Sequence, residues 1–353
     1  MEKLTFTSYI IDKNIWHELK LELKKYSNIL IISGEKALNS IKPKLDYALE
    51  GLKYSLHFYN GECSYSNINK ILDGIAGKKF DIVLGVGGGK AIDTAKLTAF
   101  KLGLDTITLP TIASTCAGTS SLSVVYSDSG SFCEIANYSA PPLKTFIDLE
   151  TIKVAPKKYI WAGMGDTLAK YYEVELKAKW ADISGKELGY QNTLGRTTSK
   201  LCKDFILKYG EKALKDDKIG DEFKNTVLAI VVNTGYVSNL VEEYLNGAIA
   251  HSICYGLGNI SSIEKKHLHG ELVAYGILIQ LLIEENKSEY YLLENFYKKV
   301  EFPTKLENFI SKNEFEKVED KILDIILTSP DMPDLFSMGF KLDKITLKNT
   351  LYS

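Results

Sequence analysis

Asp81-Ile-Val-Leu-Gly85-Val-Gly87-Gly88-Gly89-Lys90-Ala-Ile-Asp93-Thr-Ala-Lys96 is the stretch from which the rest of the chain is read. After Asp81, the run Ile82-Val-Leu-Gly85-Val is apolar and β-rich, the pattern of a buried strand. Three glycines follow, and after them Ile92, Ala95, Ala99 and Leu102 recur at helical spacing. A strand, a glycine turn and a helix in that order point unpaired backbone N–H groups at the positive end of a helix. An anion binds well there, and glycine lets it approach without a Cβ in the way. Neither GxGxxG nor GxxxxGK[ST] is present, so the spacing leaves open a phosphate cradle and a plain tight turn.

Reading outward, Asn28–Gly34, Tyr54–Tyr59, Thr106–Pro110 and Thr145–Asp148 are further strand candidates, with a first one over residues 3–10. Helical patterns separate them: Lys13–Lys25, with Ile15, Leu19 and Leu23 on one face, then Lys36–Leu49 and Ser66–Ala76. This alternation predicts an α/β domain with a Rossmann-like parallel sheet, whose ligands sit at the carboxyl ends of the strands. Residues 114–139 are small and polar, with a hairpin expected around Ser127–Gly130. Beyond Lys157-Lys158 only helical patterns follow: Trp161–Trp180, Thr197–Tyr209, Glu222–Asn239, Glu242–Gly256, Glu271–Glu285 and Tyr290–Val300. The expected organisation is an α/β domain over 1–155 and an all-helical domain over 156–353.

The chain has 353 residues, long enough for two cores, and a formal charge of −2, which argues against a general nucleic-acid surface. Arg196 is the sole arginine, so bidentate arginine clamps on an anionic substrate are nearly excluded. Five cysteines with no CxxC pair read as reduced thiols of a cytoplasmic protein. No signal-peptide core opens the sequence, and the longest apolar run, Leu272–Ile283, is too short to span a membrane. Asp166, His251 and His269 each have an ordinary reading: a helix N-cap for Asp166, packed or solvated residues for the two histidines.

The word Gly-Val-Gly-Gly-Gly-Lys-Ala-Ile-Asp-Thr-Ala-Lys resembles the pyrophosphate loop of the iron-containing alcohol dehydrogenases, and within them the glycerol dehydrogenases. Gly163-Met-Gly-Asp166, Ala250-His251-Ser-Ile and His269-Gly-Glu271 are similar, in order and spacing, to the three segments that carry metal ligands in that family. The resemblance runs from about Ile29 to Ile283. It implies a dehydroquinate synthase-like fold, a homo-oligomer, and one divalent ion, zinc or iron, on Asp166, His251 and His269, with His267 left out. It implies that Gly87, Gly88, Gly89, Lys90 and Asp93 bind the cofactor, with its pyrophosphate on Gly88, Gly89 and Lys90. Thr111, Ser114, Ser120, Leu122 and Tyr126 would line the remaining cofactor site. The expected reaction is hydride transfer between nicotinamide and a secondary alcohol bound to the ion, the substrate a small polyol or hydroxy acid.

Two departures from the family pattern qualify this. Glycerol dehydrogenases usually carry an Asp after the second strand for the adenosine ribose. Here the turn is Ser33-Gly34-Glu35-Lys36, so NADP is open beside NAD. Cys116 stands where glycerol enzymes often have an Asp that holds a substrate hydroxyl, and a hydroxycarboxylate dehydrogenase branch has Cys. Dehydroquinate synthase-like and glycerol-1-phosphate dehydrogenase activities share the fold, and the single arginine disfavours both.

Overall fold

The computed structural model describes residues 4–353; Lys3, where the first strand was expected to begin, lies outside them. Six parallel strands form one sheet: β1 (Ser8–Asp12), β2 (Ile29–Ser33), β3 (Tyr54–Phe58), β4 (Ile82–Gly87), β5 (Thr106–Pro110) and β8 (Lys144–Asp148). Their order is β1-β8-β5-β4-β2-β3. β6 (Leu122–Tyr126) and β7 (Phe132–Asn137) make the expected hairpin, antiparallel and apart from the main sheet.

The inner strands β2, β4 and β5 are buried at every residue, because helices cover both faces of a parallel sheet. Helices α1 (Trp16–Leu23) and α2 (Glu35–Leu49) pack Leu19, Leu23, Ile41 and Leu45 against Ile29, Ile31, Leu84 and Phe146. On the opposite side α3 (Tyr65–Gly74) and α4 (Gly89–Leu102) set Ile71, Ala95 and Ala99 against Leu30, Ile32 and Val83. A Cβ on Gly85 would come 2.7 Å from the Ala95 Cβ, so this glycine seats α4 directly on β4.

After α5 (Leu149–Val154) the helices begin: α6 (Lys157–Ile183), α7 (Gly189–Lys215), α8 (Asp221–Leu228), α9 (Thr234–Leu240), α10 (Ile249–Gly258), α11 (Ser261–Glu264), α12 (His269–Ile283) and α13 (Lys287–Val300), with shorter ones to the C-terminus. The chain divides into two compact units, one to Ile160 plus Lys218–Asn239, the other Trp161–Asp217 plus Leu240–Ser353. The expectation of an uninterrupted helical domain from 156 differs from this at 218–239. That segment carries Asn239, whose side chain donates to the Thr119 carbonyl at 2.9 Å and accepts from Ser121 N at 2.7 Å, and Tyr236, whose hydroxyl donates to the Thr7 carbonyl at 2.6 Å.

Two expected helices depart from regular α-helix, one through a π-turn within an unbroken helical run and one through a break. Between α8 and α9 the chain makes one π-turn, Ala229–Asn233. The Thr234 hydroxyl donates to the Ala229 carbonyl and that of Thr119 to the Val231 carbonyl, taking up groups that a regular helix would bond internally. Glu242–Gly256 breaks at Asn246-Gly-Ala248, where Gly247 adopts φ +84°, into a 3-10 turn and α10. Among the described residues no helix is long and apolar enough to cross a membrane.

Candidate metal centre and cofactor loop

Asp166 lies well inside α6, not at its start, so the N-cap reading falls away. The glycines around it serve packing. A Cβ on Gly165 would come 2.1 Å from the Gly270 carbonyl oxygen, and one on Gly270 would come 1.9 Å from the Ala162 carbonyl oxygen. The backbones of α6 and α12 therefore touch where Asp166 and His269 sit. Gly276 repeats the device against α10, its Cβ position 2.4 Å from the Ala250 carbonyl oxygen, next to His251. Three helices meet at small residues, and each delivers one polar side chain beside the contact.

The result is a cluster of Asp166, His251 and His269 whose candidate ligand atoms all lie within 4.8 Å of one another. Asp166 Oδ1 is 3.4 Å from His251 Nε2 and 3.5 Å from His269 Nε2. The far nitrogen of each imidazole is already engaged. His251 Nδ1 is 2.6 Å from Glu173 Oε2, and His269 Nδ1 is 3.3 Å from the Cys254 sulfur. With Nδ1–H donating outward, both Nε2 atoms are left facing Asp166, the tautomer a metal ion needs.

Glu173 does more than orient one ring. It is 1% exposed, and its Oε1 accepts from Ala248 N at 2.7 Å and His251 N at 2.9 Å. Ala248 has no side chain that can cap α10, so a carboxylate from α6 performs that task. Burial pushes the Glu173 carboxyl up, but the His251 charge and these hydrogen bonds outweigh it and hold it below its ordinary range. Burial likewise disfavours the His251 cation, yet Glu173 and Asp166 raise it well above the usual histidine value. Asp166 follows the same logic: burial opposes its charge, and the two histidines keep it well below the carboxylate range. His269 is raised as well, so the metal-free cluster carries a carboxylate and protonated imidazoles, and an ion entering it would displace their protons. One carboxylate and two imidazoles suit zinc or ferrous iron with positions left open.

In the sheet unit Gly87, with φ +139°, ends β4, Gly88 caps α4 in an extended conformation, and Gly89 and Lys90 begin the helix. Cβ atoms on Gly88 and Gly89 would come 2.7 Å from Ile112 Cδ1 and 3.0 Å from Thr115 Oγ1, so the 111–120 loop closes directly over this helix end. Thr111 N donates to the Gly87 carbonyl at 3.0 Å, and the Cys116 carbonyl accepts from Thr119 N and Ser120 N at 2.9 and 3.1 Å.

The iron-containing alcohol dehydrogenase profile matches residues 7–148. The chain is 34% identical over 288 residues to hydroxycarboxylate dehydrogenase A of Escherichia coli (strain K12), covering 80% of this chain and 77% of that protein. It is 33% identical to a glycerol dehydrogenase of Thermotoga maritima, covering 77% and 75%. The chain belongs to the iron-containing alcohol dehydrogenase family. The crystal structure of another member, glycerol dehydrogenase from Schizosaccharomyces pombe, superposes with TM-score 0.85 at 26% identity over 99% of this chain and 90% of that one. Enzymes of this family are oxidoreductases acting on CH–OH groups.

Against that family pattern, the structure brings Asp166, His251 and His269 together and leaves His267 outside, bonded to Glu271 at 2.8 Å and stacked edge-on against Phe309. Thr111, Ser114, Cys116 and Ser120 follow the end of β5, and Leu122 and Tyr126 are the first and last residues of β6. Asp93 is buried rather than open to the glycine turn. It pairs with Lys96 at 2.9 Å and accepts from Val124 N at 3.3 Å, while Lys96 donates to the Ser120 carbonyl at 3.3 Å and to that of Leu122. This pair ties the first residues of β6 to α4. Sequence reading missed Glu173, although it lies seven residues after Asp166 and so on the same helix face, and it missed Cys254, three after His251.

Proposed function

We propose that this chain is a metal-dependent, nicotinamide-linked dehydrogenase that interconverts a small alcohol or polyol and its carbonyl compound. The observation that carries the reading is the Asp166, His251 and His269 cluster, with both Nε2 atoms turned inward by partners on Nδ1. A divalent ion held there would supply Lewis acidity toward a substrate oxygen, and NAD, or NADP given Gly34 and Lys36, would supply the hydride-accepting ring. The chain's own residues hold the ion, orient the imidazoles through Glu173 and Cys254, and offer the α4 end with Gly88, Gly89 and Lys90 to the pyrophosphate. The protein would act in the cytoplasm as a homo-oligomer.

Its test is reduced-nicotinamide absorbance after chelation and reloading with zinc or ferrous iron, against glycerol, other diols, and 2-oxo acids, with NAD and NADP. Turnover that survives complete metal removal sinks the reading.

Cys116 favours a hydroxy acid as the substrate, and the similarity to a hydroxycarboxylate dehydrogenase supports it. An acidic side chain here would favour a second hydroxyl and repel a carboxylate, whereas a neutral thiol does neither. Losing a charge-assisted hydrogen bond worth roughly 1.5–3 kcal/mol lowers kcat/KM for glycerol about ten- to a hundredfold. Cys116→Asp should raise glycerol oxidation relative to 2-oxo acid reduction. A parent enzyme that prefers glycerol to every oxo acid refutes this assignment.

A further inference from the structure

The ammonium of Lys90, which the cofactor reading places beside the pyrophosphate, already has partners. Its Nζ lies 2.5 Å from Glu62 Oε1 and 5.1 Å from the centre of the Tyr126 ring. Glu62 is brought there by a turn fixed on two sides. Asn67 Nδ2 donates to the Glu62 carbonyl at 3.0 Å, and Tyr126 N donates to the Cys63 carbonyl at 2.8 Å. The second carboxylate oxygen, Oε2, is buried with no hydrogen-bond partner.

Local stability does not account for an acid at this place. The lysine side chain is 46% exposed, and an ion pair in such a setting contributes little. The unpartnered, buried Oε2 is a cost, because it gives up water and gains nothing in return. A glutamine would fill the same space without the charge.

We infer that Glu62 is a built-in counter-charge to the cofactor's pyrophosphate: it competes for Lys90 and so sets how tightly the dinucleotide is held. The inference rests on the reading of the glycine turn as the dinucleotide site. A pyrophosphate brings two negative charges to a turn whose cationic side chain is already neutralised, so the backbone N–H groups and the helix end carry most of the attraction. Binding then requires Lys90 to leave Glu62 or to be shared with it. In a redox enzyme that must release its cofactor every cycle, such a competitor keeps the bound state from becoming a trap.

The test uses NADH, followed by its fluorescence, with the parent protein, Glu62→Gln, Lys90→Met and the double variant. Glu62→Gln should bind NADH about fivefold more tightly and show a steeper loss of affinity with added salt, since Lys90 is then free to pair with phosphate. On the Lys90→Met background the same change should have no more than a twofold effect, because the shared partner is gone. Affinity that stays the same or weakens in Glu62→Gln overturns the inference, and so does a fivefold tightening that persists without Lys90. A parent protein that binds neither NADH nor NADPH overturns the dinucleotide reading itself, and the two failures are thereby told apart. Melting temperatures of the single variants, expected within a few degrees of the parent, exclude a folding origin.

Discussion

Replacing Gly270 by alanine puts the helix crossing that builds the candidate metal centre to a direct test. In an ordinary helix the change adds stability, up to about 1 kcal/mol in the interior. Here the new Cβ would sit 1.9 Å from the Ala162 carbonyl oxygen and 2.6 Å from its carbon, both backbone atoms that cannot rotate away. A comfortable C···O contact needs about 3.3 Å, so α6 and α12 must separate by roughly 1.4 Å. Overpacking of this kind costs about 1–3 kcal/mol or more, enough to reverse the sign set by helix propensity. The same displacement carries Asp166 from His269, now 3.5 Å apart, while a metal site tolerates only about 0.2 Å in its ligand distances. Gly270→Ala should therefore melt several degrees below the parent and lose most of its bound metal. Gly258→Ala is the control, because its Cβ would meet nothing nearer than Leu272 Cδ1 at 3.9 Å. Calorimetry and metal analysis of both variants read the two effects. If Gly270→Ala melts as high as the control and keeps its metal, the close-crossing argument is wrong.

Two further outcomes follow from buried carboxyls. Glu173→Gln keeps the shape but turns an amide N–H₂ toward His251 Nδ1, which favours the tautomer with a proton on Nε2; metal affinity measured by titration should fall about ten- to a hundredfold. Glu284 is raised to about 7, chiefly by burial and only partly offset by the hydrogen bond from Gln280 and by Lys179. Its native pKa lies above the unfolded one, so the native state binds the extra proton. The stability this gives is full below about pH 4.5 and declines as pH rises toward 7, by about 2 kcal/mol once partial solvent screening is allowed for. Glu284→Gln should flatten that part of the pH profile in thermal melts between pH 5 and 8. An unchanged profile would show that this carboxyl titrates normally.

The strands and helices around the glycine turn were legible because their signals are local. Buried parallel strands read as unbroken apolar runs, as Ile29–Ser33 does, and α4 declares itself by Ile92, Ala95 and Ala99 at helical spacing. The three residues of the candidate metal centre were legible only through family resemblance. Taken one at a time, an aspartate after a glycine and two helical histidines have commoner explanations. What the sequence could not supply is whatever depends on which surfaces meet. Gly165 and Gly270 look like helix breakers until α6 and α12 are seen to touch at them. Glu173 looks like a solvated helix residue until the uncapped end of α10 and the ring of His251 arrive beside it. The π-turn at Ala229–Asn233 has no local signature, because part of what satisfies it is the hydroxyl of Thr119, more than a hundred residues earlier. Periodicity reports how a segment relates to itself. Ligand orientation, cap sharing and charge pairing such as Glu62 with Lys90 are relations between distant segments, and only the tertiary structure decides them.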